Sequence, residues 1–507
     1  MKNLFFIVSM FAFCTFSNSQ HNIDSDWNQS LKEIPKFNSS LNASGAVANN
    51  MVVDKNGRVI IFYTEEVNNQ IIHYYTGSND DGENWDAPSP TLFEASLISS
   101  ANSTISADID TNDVIHVIWS SKITKAVYFT KANASNLMWS NPQIIGTSNK
   151  IKIGFCQIST DRKMRLHAYW NEGGPGSTDT AEVFYTQSLD QGNSWSNQIM
   201  LSQGENKHSA FPTGDFCGAR GDTLAIAWRD SIGPGTSSQD WDVKMVTSID
   251  GGLNWSTPYT VAGGAGMQSD PSIVVDKNNI IHMAFHEYPV PGGLLNAKVY
   301  YGYSNDLGQT WNSGSYVQIS ETIIQSHLVK EAYDFENDIV WYFYKDQRDY
   351  VSPSDKRADI MAINIKNSGQ TISEPEFISD ADSNEVGFHN FKVGYDGIPR
   401  AHFFIIPYGT DSTTLFYTQR NPLVNLEEKL IAFEESLIYP NPANDFIQLL
   451  NVKNDFQIEI ISTSGGILES KSYFVNEKID ISFLESGIYF IKIKDLSGIH
   501  FQKLVKK

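Results

Sequence analysis

One eight-residue pattern, Ser-x-Asp-x-Gly-x-x-Trp, recurs in four complete copies and constrains the fold more than any other feature of the chain. The copies are Ser78, Asp80, Gly82, Trp85; Ser188, Asp190, Gly192, Trp195; Ser248, Asp250, Gly252, Trp255; and Ser304, Asp306, Gly308, Trp311. In such a turn Asp and Ser side chains bond backbone amides, Gly takes a backbone shape that other residues resist, and Trp packs beneath. The pattern closes hairpins and performs no chemistry. A second repeat precedes it, in which an Asp-rich turn leads into a strand ending on an aromatic residue. It runs Asp54 to Tyr63, Asp110 to Trp119, Asp161 to Trp170, Asp276 to Phe285 and Asp334 to Phe343, then Asp396 to Ile405, where the aromatic is replaced. Around Trp228 the strand survives although Ala219 stands in for the Asp. These seven units are spaced by 51 to 62 residues, the length of a four-stranded sheet with generous loops. The chain is therefore expected to be all-β, a β-propeller of seven blades. Six blades is the alternative, because the second unit keeps only Trp139 of its turn, the sixth keeps little beyond Gly369 and the seventh none. Residues 28–41 are placed to close the last sheet with a strand from the other end of the domain.

The ends of the chain read differently. Lys2, the apolar run Leu4 to Phe13 and the small residues Ser17 and Ser19 make residues 1–19 a secretory signal peptide. No later segment is long and apolar enough for a transmembrane helix. The repeat ends near residue 421, and a connector over 422–436 carrying Glu427, Glu428, Glu434 and Glu435 leads into residues 437–507. A formal charge of −21 disfavours general binding to nucleic acid or an anionic membrane. The mature chain keeps only Cys156 and Cys217, on presumed inner strands of adjacent units, where either a bridge or two buried thiols would fit.

After the connector come Tyr439-Pro440-Asn441-Pro442, strands through Ile447 to Leu450 and Ile458 to Ser462, the turn Gly465-Gly466, then Leu484, Gly487-Ile488-Tyr489 and a lysine-rich end. This stretch resembles the type IX secretion sorting domain of the Bacteroidota. The resemblance implies a small C-terminal β-sandwich, the type IX secretion machinery as a partner, and a secreted or surface-attached protein. The four Asp boxes in turn resemble the sialidase-like BNR-repeat propellers, over roughly residues 45–420 of a domain assigned to residues 28–421. That superfamily implies sialidases, other exo-glycosidases, polysaccharide lyases or non-catalytic propellers, since fold does not set function.

Candidate site residues follow from the repeat. Asp boxes lie on one rim of such propellers, so the opposite rim holds the loops after the aromatic-ended strands. There Glu65, Glu172, Asp230 and Glu287 share one offset, Arg229 and His286 share the neighbouring one, and Arg348 comes from a long loop of the sixth unit. Paired carboxylates suit glycoside hydrolysis, with one donating a proton and the other acting as nucleophile or base. A sialidase-like hydrolase acting on an extracellular glycan or glycoprotein is the leading expectation, with Arg229, Arg348 and Arg357 as the available carboxylate clamp. No Arg precedes Ile-Pro at Glu33-Ile34-Pro35 or Gly397-Ile398-Pro399, which departs from the sialidase pattern. Two alternatives remain: a polysaccharide lyase using His286, Tyr288 and Arg229, and a binding propeller with Trp241 and Tyr288 stacking on sugars. His116, His167, His282 and His402 share one repeat position and read as structural. Nothing in the spacing of the remaining histidines implies a metal, and no cofactor is implied.

Overall fold

The computed structural model describes residues 23–421 and 438–507, apart from 25, 29–30, 37–42, 45–48, 68–69, 91–95, 98–104, 122, 151–152, 174–179, 204–206, 216–220, 233–239, 265, 290–295, 313–315, 321–325, 348–357, 380–383, 408–412, 450–455, 463–466, 475–476 and 496–497. The expected signal peptide, the connector 422–436, Arg348, Arg357 and Cys217 lie outside the described residues. Two compact units divide at Pro422.

Among the described residues of the first unit, seven antiparallel sheets follow one another along the chain. Their first strands are Met51–Val53, Ile105–Ile109, Ile153–Thr160, Ser209–Asp215, Met267–Val275, Ser326–Asp334 and Asn384–Val393. Each of these touches the first strand of the next sheet, and Asn384–Val393 touches Met51–Val53, so the ring closes on itself. The seventh sheet takes its outer strand, Lys32–Ile34, from the start of the chain, with Lys32 opposite Tyr417 and Ile34 opposite Leu415. That is the closure expected of residues 28–41. Trp27 beside it is fully buried and donates from Nε1 to Glu376 Oε2 at 2.7 Å.

Sheets stacked face to face are buried on both sides, which is why their strands read as near-continuous apolar runs. Leu166–Glu172 and Ile339–Asp346 are buried at every position. One core cluster joins Ala225, Ala227, Val243 and Met245 of the fourth sheet to Ile273, Ile281, Met283 and Phe285 of the fifth. Each fully buried Ile or Phe side chain there contributes about 1.5–3 kcal/mol.

The four Ser-x-Asp-x-Gly-x-x-Trp turns are built alike. In the second, Gly192 N and Ser188 Oγ are 2.8 Å apart, Ser188 Oγ donates to Asp190 Oδ1 at 2.8 Å, and Ser194 N donates to the same oxygen at 2.8 Å. Gly82, Gly192, Gly252 and Gly308 all have φ between 80° and 87°. A Cβ on Gly192 would lie 2.4 Å from the Phe129 ring of the preceding sheet, and one on Gly82 would lie 2.5 Å from Tyr417. The turn tryptophans meet the same neighbours: Trp195 lies edge-on to Phe129 and Trp85 edge-on to Tyr417, at 5.1 and 5.5 Å. The repeat Asp residues hold the opposite turns, Asp161 Oδ1 accepting from Lys163 N and Arg165 N at 2.8 and 2.9 Å.

On the first strands of the third to seventh sheets the register slips at one shared place: Gly154/Gln157, Ala210/Thr213, Ser269/Ser272, His327/Lys330 and Val386/His389. At four of these bulges a non-glycine residue takes the left-handed region: Phe155, Phe211, Asp270 and Leu328, with φ of 48°, 55°, 47° and 56°. Such backbone is held at a cost of order 1–3 kcal/mol, and bulges commonly re-aim a side chain beside a site.

The second unit has two sheets, ordered Ile438–Tyr439, Phe446–Leu449, Ile479–Asp480 and Ile467–Tyr473, Phe456–Ser462, Gly487–Asp495, Gly498–Lys506. Ile438, Ile447, Leu449, Ile458, Ile460, Ile491 and Ile493 share its core. No helix among the described residues is long and apolar enough to cross a membrane.

Two outcomes are expected. Gly192→Ala meets both a forbidden φ and a ring at contact distance, so it should destabilise by about 2–4 kcal/mol, read as a lower urea midpoint. Burial lowers His402 to about 3, so the folded chain keeps it neutral while the unfolded chain takes up a proton. Stability is therefore present above the ordinary value of about 6.5 and lost as pH falls from there towards 3, by roughly 2–3 kcal/mol at pH 4.5. His402→Gln should lose correspondingly less stability between pH 7 and 4.5 in the same denaturation assay.

Candidate functional site

Alternation along a strand separates the sequence-selected residues into two sets. On Leu224–Ser231, Ala225, Ala227 and Arg229 face the fifth sheet, whereas Leu224, Ile226 and Trp228 face the third. Asp230 follows Trp228, and Glu65, Glu172 and Glu287 follow their own aromatic residues in the same way. Within one strand, the carboxylate and its basic neighbour Arg229 or His286 therefore sit on opposite faces, while Glu287, like Phe285, is on the face turned to the fourth sheet.

The carboxylate set is held in local bonds. Asp230 is buried, accepts from Ser209 Oγ at 2.6 Å and pairs with Lys244 Nζ at 3.1 Å. Glu172 accepts from Trp170 Nε1 at 3.2 Å and Gln198 Nε2 at 3.3 Å, and burial pushes its carboxyl up. Glu287 accepts from Gln268 Nε2 at 2.9 Å. Glu65 is buried, and its charge adds to burial in raising Tyr74.

Arg229 and His286 are brought together, and what joins them is Asp270 on the bulge of Met267–Val275. Arg229 Nη1 lies 3.5 Å from Asp270 Oδ1 and donates to Ser269 Oγ at 3.2 Å. His286 Nε2 lies 3.9 Å from Asp270 Oδ2. Tyr288, two residues along the strand, meets the His286 ring edge-on at 5.2 Å. The Arg229 guanidinium sits 3.8 Å over the Phe211 ring and 4.7 Å from Trp241, which shares a buried cluster with Tyr288 and Met267. Arg229 Nε is buried with no hydrogen-bond partner among the described residues, so the cation keeps a donor to spare. Asp270 keeps 27% of its side chain open to solvent.

The electrostatics of this cluster assign protonation states. Burial pushes the Asp270 carboxyl up, but Arg229, His286, the Ser269 hydroxyl and Lys330 outweigh it and hold Asp270 below the usual carboxylate range. Burial lowers His286, Asp270 partly restores it and Arg229 lowers it again, leaving a neutral imidazole at neutral pH. Burial, then Asp270, raise Tyr288 to about 12 against the pull of Arg229, so its phenol stays protonated. Lys330 is lowered by burial and partly restored by Glu331 and Asp270.

Sequence reading missed Asp270, Ser269, Phe155, Phe211 and Lys330. One signal was present: Phe211-Pro212-Thr213 and Asp270-Pro271-Ser272 align in their repeats, and the Asp breaks an otherwise apolar position. The repeat histidines are structural in geometry. His116 and His167 reach Asp110 and Asp161 at 3.0 and 3.2 Å, His282 bonds Tyr301 Oη at 2.7 Å, and His402 bonds Asn50 Oδ1 at 2.7 Å. Cys156 is buried. Among the described residues no group of three or more His, Cys, Asp or Glu is arranged to hold a metal ion.

Since Arg229 disfavours and Asp270 favours the imidazolium, Arg229→Gln should raise the His286 pKa and Asp270→Asn should lower it further. An NMR titration of the imidazole protons, assigned with His286→Gln, reads both directions.

The chain is similar to many solved structures, among them three of polysaccharide lyases. A polysaccharide lyase described as a PL25 ulvan lyase has a TM-score of 0.55 and 11% identity, covering 77% of this chain and 96% of that one. The same enzyme family bound to -[GlcA(1-4)Rha3S]- has a TM-score of 0.52 and 11% identity, covering 75% and 96%. The polysaccharide lyase Uly1 has a TM-score of 0.50 and 11% identity, covering 80% and 94%. The likeness is one of fold, and it puts the ring of sheets in the β-propeller class. No curated protein matches the sequence. Residues 437–507 match the secretion system C-terminal sorting domain family, and this type IX address identifies the chain as one exported across the outer membrane, to the cell surface or into the medium.

Proposed function

We propose that the first unit is a seven-bladed Asp-box propeller acting as a polysaccharide lyase on an acidic, uronate-containing extracellular glycan. The observation that carries this reading is the cluster of Arg229, Asp270, His286 and Tyr288. β-Elimination needs a cation on the uronate carboxylate, a base for the proton beside it and an acid for the leaving oxygen. Arg229, whose side chain is partly open to solvent beside Asp270, takes the first part. Neutral His286 accepts the C5 proton, the C4–O bond breaks as the C4–C5 double bond forms, and protonated Tyr288 donates to the departing oxygen. Asp270 is a positioning residue that lies between Arg229 and His286. The fold shared with the lyase structures is compatible with this chemistry and does not by itself carry it.

The hydrolase expectation asks for two carboxyl groups facing each other across the scissile bond. Glu172 and Asp230 are instead engaged in bonds of their own, on strand faces turned away from Arg229. Support for that chemistry is correspondingly weaker.

The full-length protein incubated with sialylated, neutral and uronate-containing glycans should release unsaturated products from the uronate class alone, read by mass spectrometry. Products that gain water would replace the lyase with a hydrolase, and no turnover with retained binding would leave a binding propeller. Arg229→Ala and His286→Ala should each lower kcat/KM by about 10²–10⁴-fold. The acid limb of kcat/KM should lie below the ordinary histidine value of about 6.5, because His286 must be protonated to be silenced.

A further inference from the structure

Phe155 and Phe211 occupy the same bulge position on the third and fourth sheets, with φ of 48° and 55°. Their ring centroids are 4.0 Å apart at 53°. Both side chains are half-buried, although a residue pointing into a core between sheets would be fully covered. The backbone thus takes up a sparsely populated conformation in which part of each aromatic side chain stays within reach of solvent. Exposed apolar surface held by strained backbone is a feature of ligand sites rather than of cores. The direction of the pair matters as well. Phe211 carries the Arg229 guanidinium at 3.8 Å, and Phe155 lies on from Phe211, contributed by the preceding sheet. A chain molecule whose carboxylate sits on Arg229 would lay its next residue along these two rings.

Resting on the lyase reading of the Arg229 cluster, we infer that Phe155 and Phe211 form a second sugar subsite, which takes the apolar C–H face of the sugar adjoining the bound uronate. The fit is to a sugar with one face free of charged or bulky substituents, because aromatic rings stack on C–H surface and offer no partner for a buried anion. Leu328, the same bulge position in the sixth sheet, is aliphatic and gives no second platform of this kind. Among the described residues the subsite therefore extends from Arg229 toward the third sheet. It makes the protein a reader of at least two consecutive residues, the uronate by charge and its neighbour by shape.

Phe155 is the residue to change, since it does not touch Arg229, whereas loss of Phe211 would also release the guanidinium. The full-length protein, carrying His286→Ala to stop turnover, is titrated by calorimetry with uronate-containing oligosaccharides from disaccharide to hexasaccharide. Affinity should step up once the ligand is long enough to cover the pair, and Phe155→Ala should remove that step, about tenfold, leaving the shortest ligand unchanged. Phe155→Trp should keep it. Equal affinities for Phe155→Ala and its parent at every length would overturn the inference, and so would an equal loss at every length. If no acidic oligosaccharide binds the parent, the uronate reading fails, and a neutral oligosaccharide series then tests the pair alone. Binding there that Phe155→Ala abolishes supports the subsite, and no binding in either series overturns it.

Discussion

In four of the seven sheets described, packing on the sheet before depends on a missing Cβ. Gly82, Gly192, Gly252 and Gly308 sit at left-handed φ, and any side chain there would collide with Tyr417, Phe129, Tyr185 or Met245 of the preceding sheet. The turn is a clasp as well as a hairpin end. Ser and Asp fix its backbone so that the glycine arrives flat against the neighbour, and Trp85, Trp195 and Trp255 fill the space beside the same rings. Because the ring is closed, Gly82 of the first sheet grips Tyr417 of the seventh, and the chain's two distant ends become mutually dependent. Lys32–Ile34 then caps the edge that this closure would otherwise leave open.

That architecture was legible because its information is repeated. Seven units of similar length announce a ring of sheets, and the four box patterns name their own contacts down to the glycine. The sorting region was legible for a different reason, a short dense motif at Tyr439-Pro440-Asn441-Pro442 followed by a regular strand pattern. The site was harder. Repeat alignment draws attention to positions that recur, and Glu65, Glu172, Asp230 and Glu287 recur beside the recurring aromatic residues, where Glu172, Asp230 and Glu287 bond side chains of their own sheets. Arg229, His286 and Tyr288 were visible as departures from the repeat. Asp270 was not, because the bulge that displays it adds a residue to its strand and the period-two alternation used to assign faces slips there.

The bulges also explain how one end of a densely packed ring can be chemically distinct. A straight first strand would point its side chains alternately into the two neighbouring sheets, and each would be sealed in the core. The extra residue turns one side chain out of that alternation. In the third and fourth sheets it is Phe155 and Phe211, and in the fifth it is Asp270. A shared backbone feature thus supplies positions for different chemistry with no change to the packing below.

Charge makes this placement consequential. With a formal charge of −21, the protein as a whole repels an acidic polymer, so attraction must be short-range and local. Arg229 and Lys330 face Asp270, and that carboxylate gives the guanidinium a counter-charge in a partly buried site, while Glu331 does the same for Lys330. Asp270 engages Arg229 through Nη1 at 3.5 Å, which leaves Nε–H buried and unpartnered on another edge of the same planar fork. The imidazole beside them stays neutral because burial and Arg229 together outweigh Asp270, and a neutral imidazole is the form that can take a proton.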